Sequence, residues 1–333
     1  MPVTPEVVTW GYRFFLGREP ENSQVIEEKV KDCATLEELR RVFLTSQEFK
    51  QKHQAVRTAS LSGNEPRMTI QDAYTEHELQ RLFEHVQGTW HYLGETEPYW
   101  SVITAEKFKQ ANIQQTIDQF YDSGMYDATR LFRTLDRSNI DYTVFNSCLE
   151  YGCGLGRVTR WLSEKFDIVY GYDISLAHLK SAESYLNRRH INNTVLRHVK
   201  GINDILCLPK VDLVYSILVL QHNPPPLTSL IIREFIKSLN PGGVALFQVP
   251  TYRLGYRFSL EDYYDNGGST HQMEAHVLPQ RTIFDIARQE GGHIIEVLDD
   301  CYTGVPYEVS NTFLIQKLTF SGQGQGNSAP TSR

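Results

Sequence analysis

The sequence predicts an α/β protein with a doubly wound, mostly parallel seven-stranded sheet and an antiparallel last strand, plus a small N-terminal all-helical domain. From residue 141 onward, short β-rich runs alternate with amphipathic segments, which is typical of parallel strands joined by helical crossovers. The last two β-rich runs share residues 291–318, which leaves no room for another helix, so we expect them to pair antiparallel. Before residue 53, apolar residues recur at helical spacing.

Composition and charge limit the classes of protein to which the chain can belong. Of its 333 residues, 41% are hydrophobic and 22% are charged, as in soluble globular proteins. The net charge of −7 argues against a general nucleic-acid binder. No apolar run is long enough to span a membrane, no secretory signal is visible at the start, and the cysteines show no zinc-ligand spacing. We therefore expect a cytoplasmic protein with no nucleic-acid partner and no membrane span.

The first 140 residues are predicted to form two helical pieces. Residues 1–53 are predicted to be a small docking domain, in which Thr35 and Ser46 are placed as N-caps. Residues 54–69 are poor in apolar side chains and contain Ser, Gly, Asn and Pro, which indicates a linker. Residues 70–140 return to helical spacing, and we expect them to form a cap over a substrate site.

The remaining residues carry the predicted sheet, within a domain that spans 141–318. The tail 319–333 is of low complexity, and we expect it to be disordered. The seven predicted strands lie in the runs 142–152, 166–175, 193–201, 211–221, 242–250, 292–300 and 310–318.

A glycine-rich loop follows the first predicted strand. Glu150 ends the strand, and Gly152, Gly154 and Gly156 follow at alternate positions. Glycine lets a backbone pass very close to a ligand. A dinucleotide-binding GxGxxG loop would need its third glycine where this chain has an arginine or a threonine. The other alternative is an ordinary tight strand-to-helix turn.

This segment, together with the seven strands, resembles the class I S-adenosylmethionine-dependent methyltransferases over residues 115–318. The resemblance implies that S-adenosylmethionine is the cofactor, and that the glycines and Cys153 touch its methionine part. It implies that Glu150 faces the ammonium group of the cofactor. A helix opening at about Arg157 would point free N–H groups at the ligand.

Further cofactor-binding residues follow from the same resemblance. Asp173 ends the second strand, where an acid can accept hydrogen bonds from both ribose hydroxyls; the alternative is a helix N-cap. Ile174 would then lie against the adenine. The other residues assigned to the cofactor are Tyr121 beside the methionine end, Asn203 and Asp204 at the adenine edge (or in a simple turn), and Gln221 after the fourth strand.

The end of the fourth strand carries the candidate catalytic residues. The Asn-Pro-Pro sequence at the end of this strand is similar to the motif of amino-group methyltransferases acting on adenine or glutamine. However, Pro226 stands where that motif has an aromatic residue. His222 is a candidate general base, because histidine accepts protons near neutral pH; a loop hydrogen bond is an equal alternative. His271 and His276 are the other candidate bases, and their spacing does not suit a zinc pair, so no metal is predicted.

The segment 251–280 is too long for a plain connection, and its aromatic residues, together with Trp90, Tyr92, Tyr99 and Trp100 upstream, predict a lid over an acceptor site. The amino-terminal piece resembles the phycobilisome-linker-like module found beside bacterial glycan-modifying enzymes, through Leu16–Pro20 and Ser46–Phe49. Together these resemblances imply O-methylation of a glycan or glycan-like small molecule, with the helical domain binding a protein partner or a second copy. The alternatives are N-methylation of an amine or protein, and a non-catalytic S-adenosylmethionine-binding scaffold.

Overall fold

The chain folds into two compact units, Met1–Arg57 and Thr58–Arg333. A computed structural model describes residues 3–46, 48–49, 61, 63–71, 73–265, 271–300, 302–304 and 307–319. The predicted disorder of 319–333 lies almost wholly outside this range. Among the described residues, none of the helices has both the length and the apolar character needed to cross a bilayer.

Helices make up most of the first 140 residues and alternate with strands afterwards. The described α-helices are α1 Pro5–Gly11, α2 Ser23–Asp32, α3 Leu36–Thr45, α4 Glu76–Thr96, α5 Pro98–Val102, α6 Ile117–Arg137, α7 Thr159–Leu162, α8 Leu176–Arg188, α9 Ile202–Leu206, α10 Pro225–Ser238, α11 Leu260–Asp265 and α12 Gln280–Gln289. A π-helical turn, Tyr12–Leu16, follows α1, and four single turns of 3-10 helix occupy Glu106–Phe108, Ile113–Gln115, Tyr142–Val144 and Leu220–His222.

The amino-terminal unit has its own apolar core, which includes Val8, Tyr12, Leu39 and Phe43. Thr35 caps α3 in a capping box, as its sequence position predicts. The Ser46 hydroxyl accepts a hydrogen bond from the Phe49 N–H at 3.1 Å, but most of the helix predicted there lies outside the described residues.

The second unit is built around a seven-stranded sheet. Its strands run in the order β4-β3-β2-β5-β6-β9-β8, with β9 antiparallel to both neighbours and the other adjacent pairs parallel. This order confirms the predicted fold class. The strands of this sheet are β2 Ser147–Tyr151, β3 Ile168–Asp173, β4 Thr194–His198, β5 Val211–Ser216, β6 Leu239–Arg253, β8 Gly292–Asp299 and β9 Glu308–Lys317.

Two segments lie closer to the sheet than their predicted domains suggest. Helix α6 contributes Leu131 and Leu135 to a core that also contains the sheet residues Val169 and Leu213, so α6 forms part of the helical layer rather than only a cap. The end of the predicted linker forms the short strand β1, Thr69–Ile70, which pairs with β7, Arg257–Phe258. The linker therefore ends as part of the larger unit.

Candidate active site

A cavity of about 720 Å³ opens at the carboxyl ends of the parallel strands. Its wall includes Glu150 at the end of β2, Asp173 at the end of β3, Arg253 at the end of β6 and Glu308 at the start of the antiparallel β9. In open α/β sheets, ligands bind in the crevice at this edge. The volume suits a small-molecule site.

The glycine loop forms one wall of the cavity because its backbone is left-handed at each glycine. The φ angles are 79° at Gly152, 52° at Gly154 and 76° at Gly156. A β-carbon at Gly152 would stand 2.3 Å from Val219 Cγ2, so a larger residue does not fit there. Gly156 differs from the other two, because it packs against Ala182 of α8 and does not line the cavity. Its glycine is explained by helix packing and by its backbone angle.

Asp173 organises this loop. Its Oδ2 accepts a hydrogen bond from the Gly154 N–H, and its Oδ1 accepts one from the Ser175 N–H, both at 2.7 Å. The N-cap of α8 is Ser175, so the predicted alternative of a capping role for Asp173 is wrong. A carboxylate oxygen has two lone pairs, and each oxygen of Asp173 can therefore accept a further hydrogen bond from a ligand.

Glu150 is a carboxyl group with little access to solvent. Its residue is 4% exposed, and Oε2 accepts a hydrogen bond from the Thr159 hydroxyl at 2.5 Å. Burial raises the pKa of Glu150 to about 8, although the Thr159 hydrogen bond and the positive charge of Arg157 act against this shift. Helix α7 starts at Thr159, two residues later than predicted, and places that hydroxyl on Glu150.

His222 also lines the cavity, beside Trp90. Its Nδ1 lies 2.7 Å from the Glu274 carbonyl oxygen, which can only accept, so Nδ1 carries the proton and Nε2 is the acceptor nitrogen of the ring. The amide Nε2 of Gln221 donates to that atom at 3.2 Å. Burial lowers the pKa of His222 to about 4, against the opposing effect of the carbonyl, so the ring is neutral at pH 7.

The other two histidines do not line the cavity. His276 Nε2 donates to Glu274 Oε2 at 3.0 Å, and its Nδ1 accepts from the Tyr256 hydroxyl at 2.9 Å, so both ring nitrogens are occupied inside the protein. His271 is exposed, with its ring centre 4.3 Å from that of Tyr92. The prediction that either histidine could act as the base finds no support in this geometry.

Glu274 holds the segment beside His222 in place. Its Oε1 lies 3.1 Å from His85 Nε2, and its Oε2 accepts a hydrogen bond from the Tyr263 hydroxyl at 2.7 Å. Burial raises the pKa of Glu274, but hydrogen bonds, the largest from His276 and Tyr263, outweigh it and lower the pKa to about 2. The carboxylate is therefore ionised at neutral pH, and it anchors the backbone carbonyl that fixes the tautomer of His222.

A match to a known family accompanies this geometry. Residues 119–296 match the family model described as a methyltransferase domain. The chain belongs to this methyltransferase family. The predicted methyltransferase activity and its cofactor, S-adenosylmethionine, are thereby confirmed. Comparison with curated proteins gives no match.

The methyltransferase is also similar to solved structures. An S-adenosylmethionine-dependent methyltransferase from Clostridium acetobutylicum is 15% identical, with a TM-score of 0.46 over 62% of this chain and 100% of that one. Magnesium protoporphyrin IX methyltransferase from Synechocystis, with bound SAH, is 18% identical, with a TM-score of 0.49 over 71% of this chain and 99% of that one.

The structure of the methyltransferase brings most of the predicted site residues together and separates the others. The predicted residues that line the cavity are Glu150, Gly152, Cys153, Gly154, Asp173, Ile174, Gln221 and His222. Tyr121 lies outside it, because its ring stacks on Tyr185 with centroids 3.5 Å apart. Asn203 and Asp204 lie on α9, also outside, where the Asp204 carboxylate accepts the Lys200 N–H at 2.7 Å.

Sequence reasoning missed the wall that the helices of the methyltransferase supply. Trp90 on α4 was predicted only as one of several lid aromatics, and Asp127 on α6 was not predicted at all, yet both line the cavity. Asp127 pairs with Arg157 at 2.5 Å. The sequence did contain one local signal for this part of the wall. Arg157 comes directly after the glycine loop, close to a helix start, which is where proteins often bind an anion.

Proposed function

We propose that this methyltransferase transfers a methyl group to an oxygen of a glycan or glycan-like small molecule, and that His222 accepts the acceptor's proton. The supporting observation is that Gly152 and Gly154 of the glycine loop, Asp173 and His222 all line one cavity. A donor bound by the glycine loop and Asp173 and an acceptor bound beside His222 would share a single space. Alignment of the two reactants is the larger part of what such a transfer requires.

The residues at the donor end fit S-adenosylmethionine. Asp173 would accept hydrogen bonds from the ribose hydroxyls, Ile174 would lie against the adenine, and Glu150 would face the ammonium group. When bound, the cofactor supplies an electrophilic methyl group on a sulfonium sulfur. The left-handed backbone at Gly152 and Gly154 leaves this wall free of side chains.

The neutral ring of His222 would take the acceptor's proton on Nε2, after that atom exchanges the hydrogen bond from the Gln221 amide for one from the acceptor hydroxyl. Since its Nδ1–H is held by the Glu274 carbonyl, the lone pair has a fixed direction. The low pKa makes the ring a weak base but keeps it unprotonated throughout the physiological range. An unperturbed histidine base would make turnover rise with pH through about 6–7. We therefore do not expect this rise here.

A hydroxyl-rich acceptor agrees with the side chains around His222. Trp90 lies edge-on to His222, with ring centroids 5.1 Å apart, and offers an apolar surface. Arg253 and Glu308 form an ion pair in the cavity wall, and Arg253 Nη1 also donates to the Ala275 carbonyl at 2.9 Å. An apolar ring beside a few polar groups is the usual composition of a site for a partly apolar, partly hydroxylated ligand.

The test is an acceptor screen with labelled donor over oligosaccharides and nucleotide sugars, followed by His222→Asn with the best acceptor. Turnover should fall by roughly 10²–10⁴, while the dissociation constant for S-adenosylhomocysteine stays within about threefold. His271→Asn is the matched control, because this exposed histidine lies outside the cavity, and it should keep full turnover. Transfer to amines alone, or unchanged turnover in His222→Asn, would contradict the proposal.

We also propose that the amino-terminal helical unit is a docking module and that the protein acts in the cytoplasm. The unit has an apolar core of its own. The described cysteines, Cys33, Cys148, Cys153 and Cys207, are free thiols, which suits a reducing compartment.

A further inference from the structure

Arg157 is a largely buried cation with an unfilled hydrogen-bond donor. It follows the glycine loop directly, it lines the cavity, and its side chain is 14% exposed. Its Nη2 lies 2.5 Å from Asp127 Oδ2, and its Nη1 donates to Ser123 Oγ at 3.2 Å. Its Nε is buried and has no hydrogen-bond partner among the residues that the structure describes. The guanidinium is therefore held in position with a donor unsatisfied.

A buried donor without a partner is costly, and the cost is larger for a charged group. An acceptor on a ligand would remove that cost. The planar guanidinium presents its N–H groups as a fork that matches the two oxygens of a carboxylate. Arg157 therefore has the chemistry and the position to bind a carboxylate in the cavity.

The neighbouring Glu150 identifies which carboxylate this would be. Glu150 ends β2 and Arg157 follows the loop, so a potential negative charge and a positive charge lie on the same wall. They are close enough for the charge of Arg157 to act on the pKa of Glu150. The amino-acid end of S-adenosylmethionine carries an ammonium and a carboxylate on one carbon atom, which is the complementary arrangement.

We propose that Arg157, positioned by Asp127 and Ser123, binds the α-carboxylate of the methyl donor while Glu150 faces its ammonium group. This inference rests on the donor site described under the proposed function. It assigns to the donor one charged residue that the family resemblance did not supply.

A purely structural role for Arg157 makes a different prediction. Helix α6 packs tightly on this segment, since a β-carbon at Gly124 would lie 2.0 Å from the Arg157 carbonyl oxygen. If the ion pair with Asp127 only fastened α6 to the loop, Arg157→Gln would lower stability without discriminating between ligands. The two roles are separated by changing the ligand as well as the protein.

The experiment is calorimetric titration of the full chain with S-adenosylhomocysteine and with its α-carboxamide analogue, which keeps the ammonium but lacks the carboxylate charge. The wild type should bind S-adenosylhomocysteine about 10- to 100-fold more tightly than the carboxamide. Arg157→Gln should bind the two ligands alike, with its affinity for the carboxamide within about threefold of wild type. Arg157→Lys should retain only part of the preference, because it lacks the fork.

Arg160→Gln is the matched control, since Arg160 stacks 3.9 Å over Trp161 and does not line the cavity; it should keep the wild-type preference. Equal binding of both ligands by the wild type, or a preference that survives in Arg157→Gln, would overturn the inference and leave the donor site standing. Binding of neither ligand by the wild type would overturn the donor site and the inference with it. If Arg157→Gln does not fold, the wild-type preference for S-adenosylhomocysteine and its reduction in Arg157→Lys decide between the two roles.

Discussion

At the scale of single residues, the donor end and the acceptor end are both built on groups whose charge is suppressed by burial. Glu150 has a raised pKa and His222 a lowered one, and in each case desolvation is the largest cause. Both groups are therefore neutral near pH 7 in the free protein. A bound ammonium group changes this balance for Glu150, because an adjacent positive charge favours the ionised carboxylate.

We therefore predict that S-adenosylhomocysteine binds more tightly as the pH rises from about 6 to 7.5, by up to about tenfold per pH unit. A folded-state pKa near 8, above the ordinary 4.5, means that the free protein carries a proton that binding must release. The same shift makes the free folded state lose stability as the pH rises from 4.5 through 8. Dissociation constants measured by calorimetry at several pH values test this expectation.

Glu150→Gln should abolish the pH slope, since an amide does not titrate. Glu164→Gln is the control, because Glu164 is an exposed carboxylate nearby. An affinity that does not change with pH in the wild type would show that Glu150 is not coupled to the ligand. A slope that persists in Glu150→Gln would assign the proton to another group.

At the scale of elements, two glycines of the loop between β2 and α7 have different surroundings. Gly154 faces the cavity wall beside Val102, with a β-carbon position 3.2 Å from Val102 Cγ2, and its N–H holds Asp173. A β-carbon at Gly156 would lie 3.3 Å from Ala182, away from the cavity. Both positions are left-handed, so alanine is strained at each by about 1–2 kcal/mol.

We predict that Gly154→Ala and Gly156→Ala lower the melting temperature by similar amounts but differ in donor binding. Gly154→Ala should weaken S-adenosylhomocysteine binding at least tenfold, whereas Gly156→Ala should leave it within about threefold. Thermal unfolding and calorimetric titration of the two variants measure these effects. Equal losses of affinity in the two variants would contradict the prediction. They would mean that Gly154 and Gly156 contribute to donor binding in the same way.

The same elements indicate how far sequence reasoning reaches. The strands, the glycine loop and Asp173 are predictable because their signals are local: apolar runs, glycine spacing and an acid at a strand end. Trp90 and Asp127 come from helices distant in sequence from the glycine loop, and only tertiary packing brings them to the site. Tyr121 was placed wrongly for the same reason, since its stacking on Tyr185 depends on how two helices meet.

At the scale of the whole molecule, the chain divides at Arg57, and each side has its own apolar core. The predicted linker does not end at the division. Its last residues form β1, and the Tyr252 hydroxyl donates to the Pro66 carbonyl at 3.1 Å. A truncated protein must therefore keep residues 66–70 if the contacts of β1 and Pro66 are to be retained.

A protein lacking residues 1–57 should fold and bind S-adenosylhomocysteine within about threefold of the full chain, because it keeps the whole of the second unit with its own apolar core. Removal of residues 1–71 is the matched comparison; it deletes β1 and should lower the melting temperature further. Circular dichroism measures the fold of both shortened proteins, and calorimetry measures their affinity for S-adenosylhomocysteine. Insolubility or loss of binding after removal of residues 1–57 alone would place the helical unit within the catalytic fold.

The most direct test of the methyltransferase assignment is thermal unfolding of the full chain with S-adenosylhomocysteine and, separately, with NAD. A ligand at a hundredfold excess over its dissociation constant stabilises the folded state by about 2.7 kcal/mol. For a unit of this size we expect S-adenosylhomocysteine to raise the melting temperature by roughly 5–10 °C. NAD should cause no shift, because the loop lacks the third glycine of the dinucleotide pattern. A shift with NAD and none with S-adenosylhomocysteine would contradict the account.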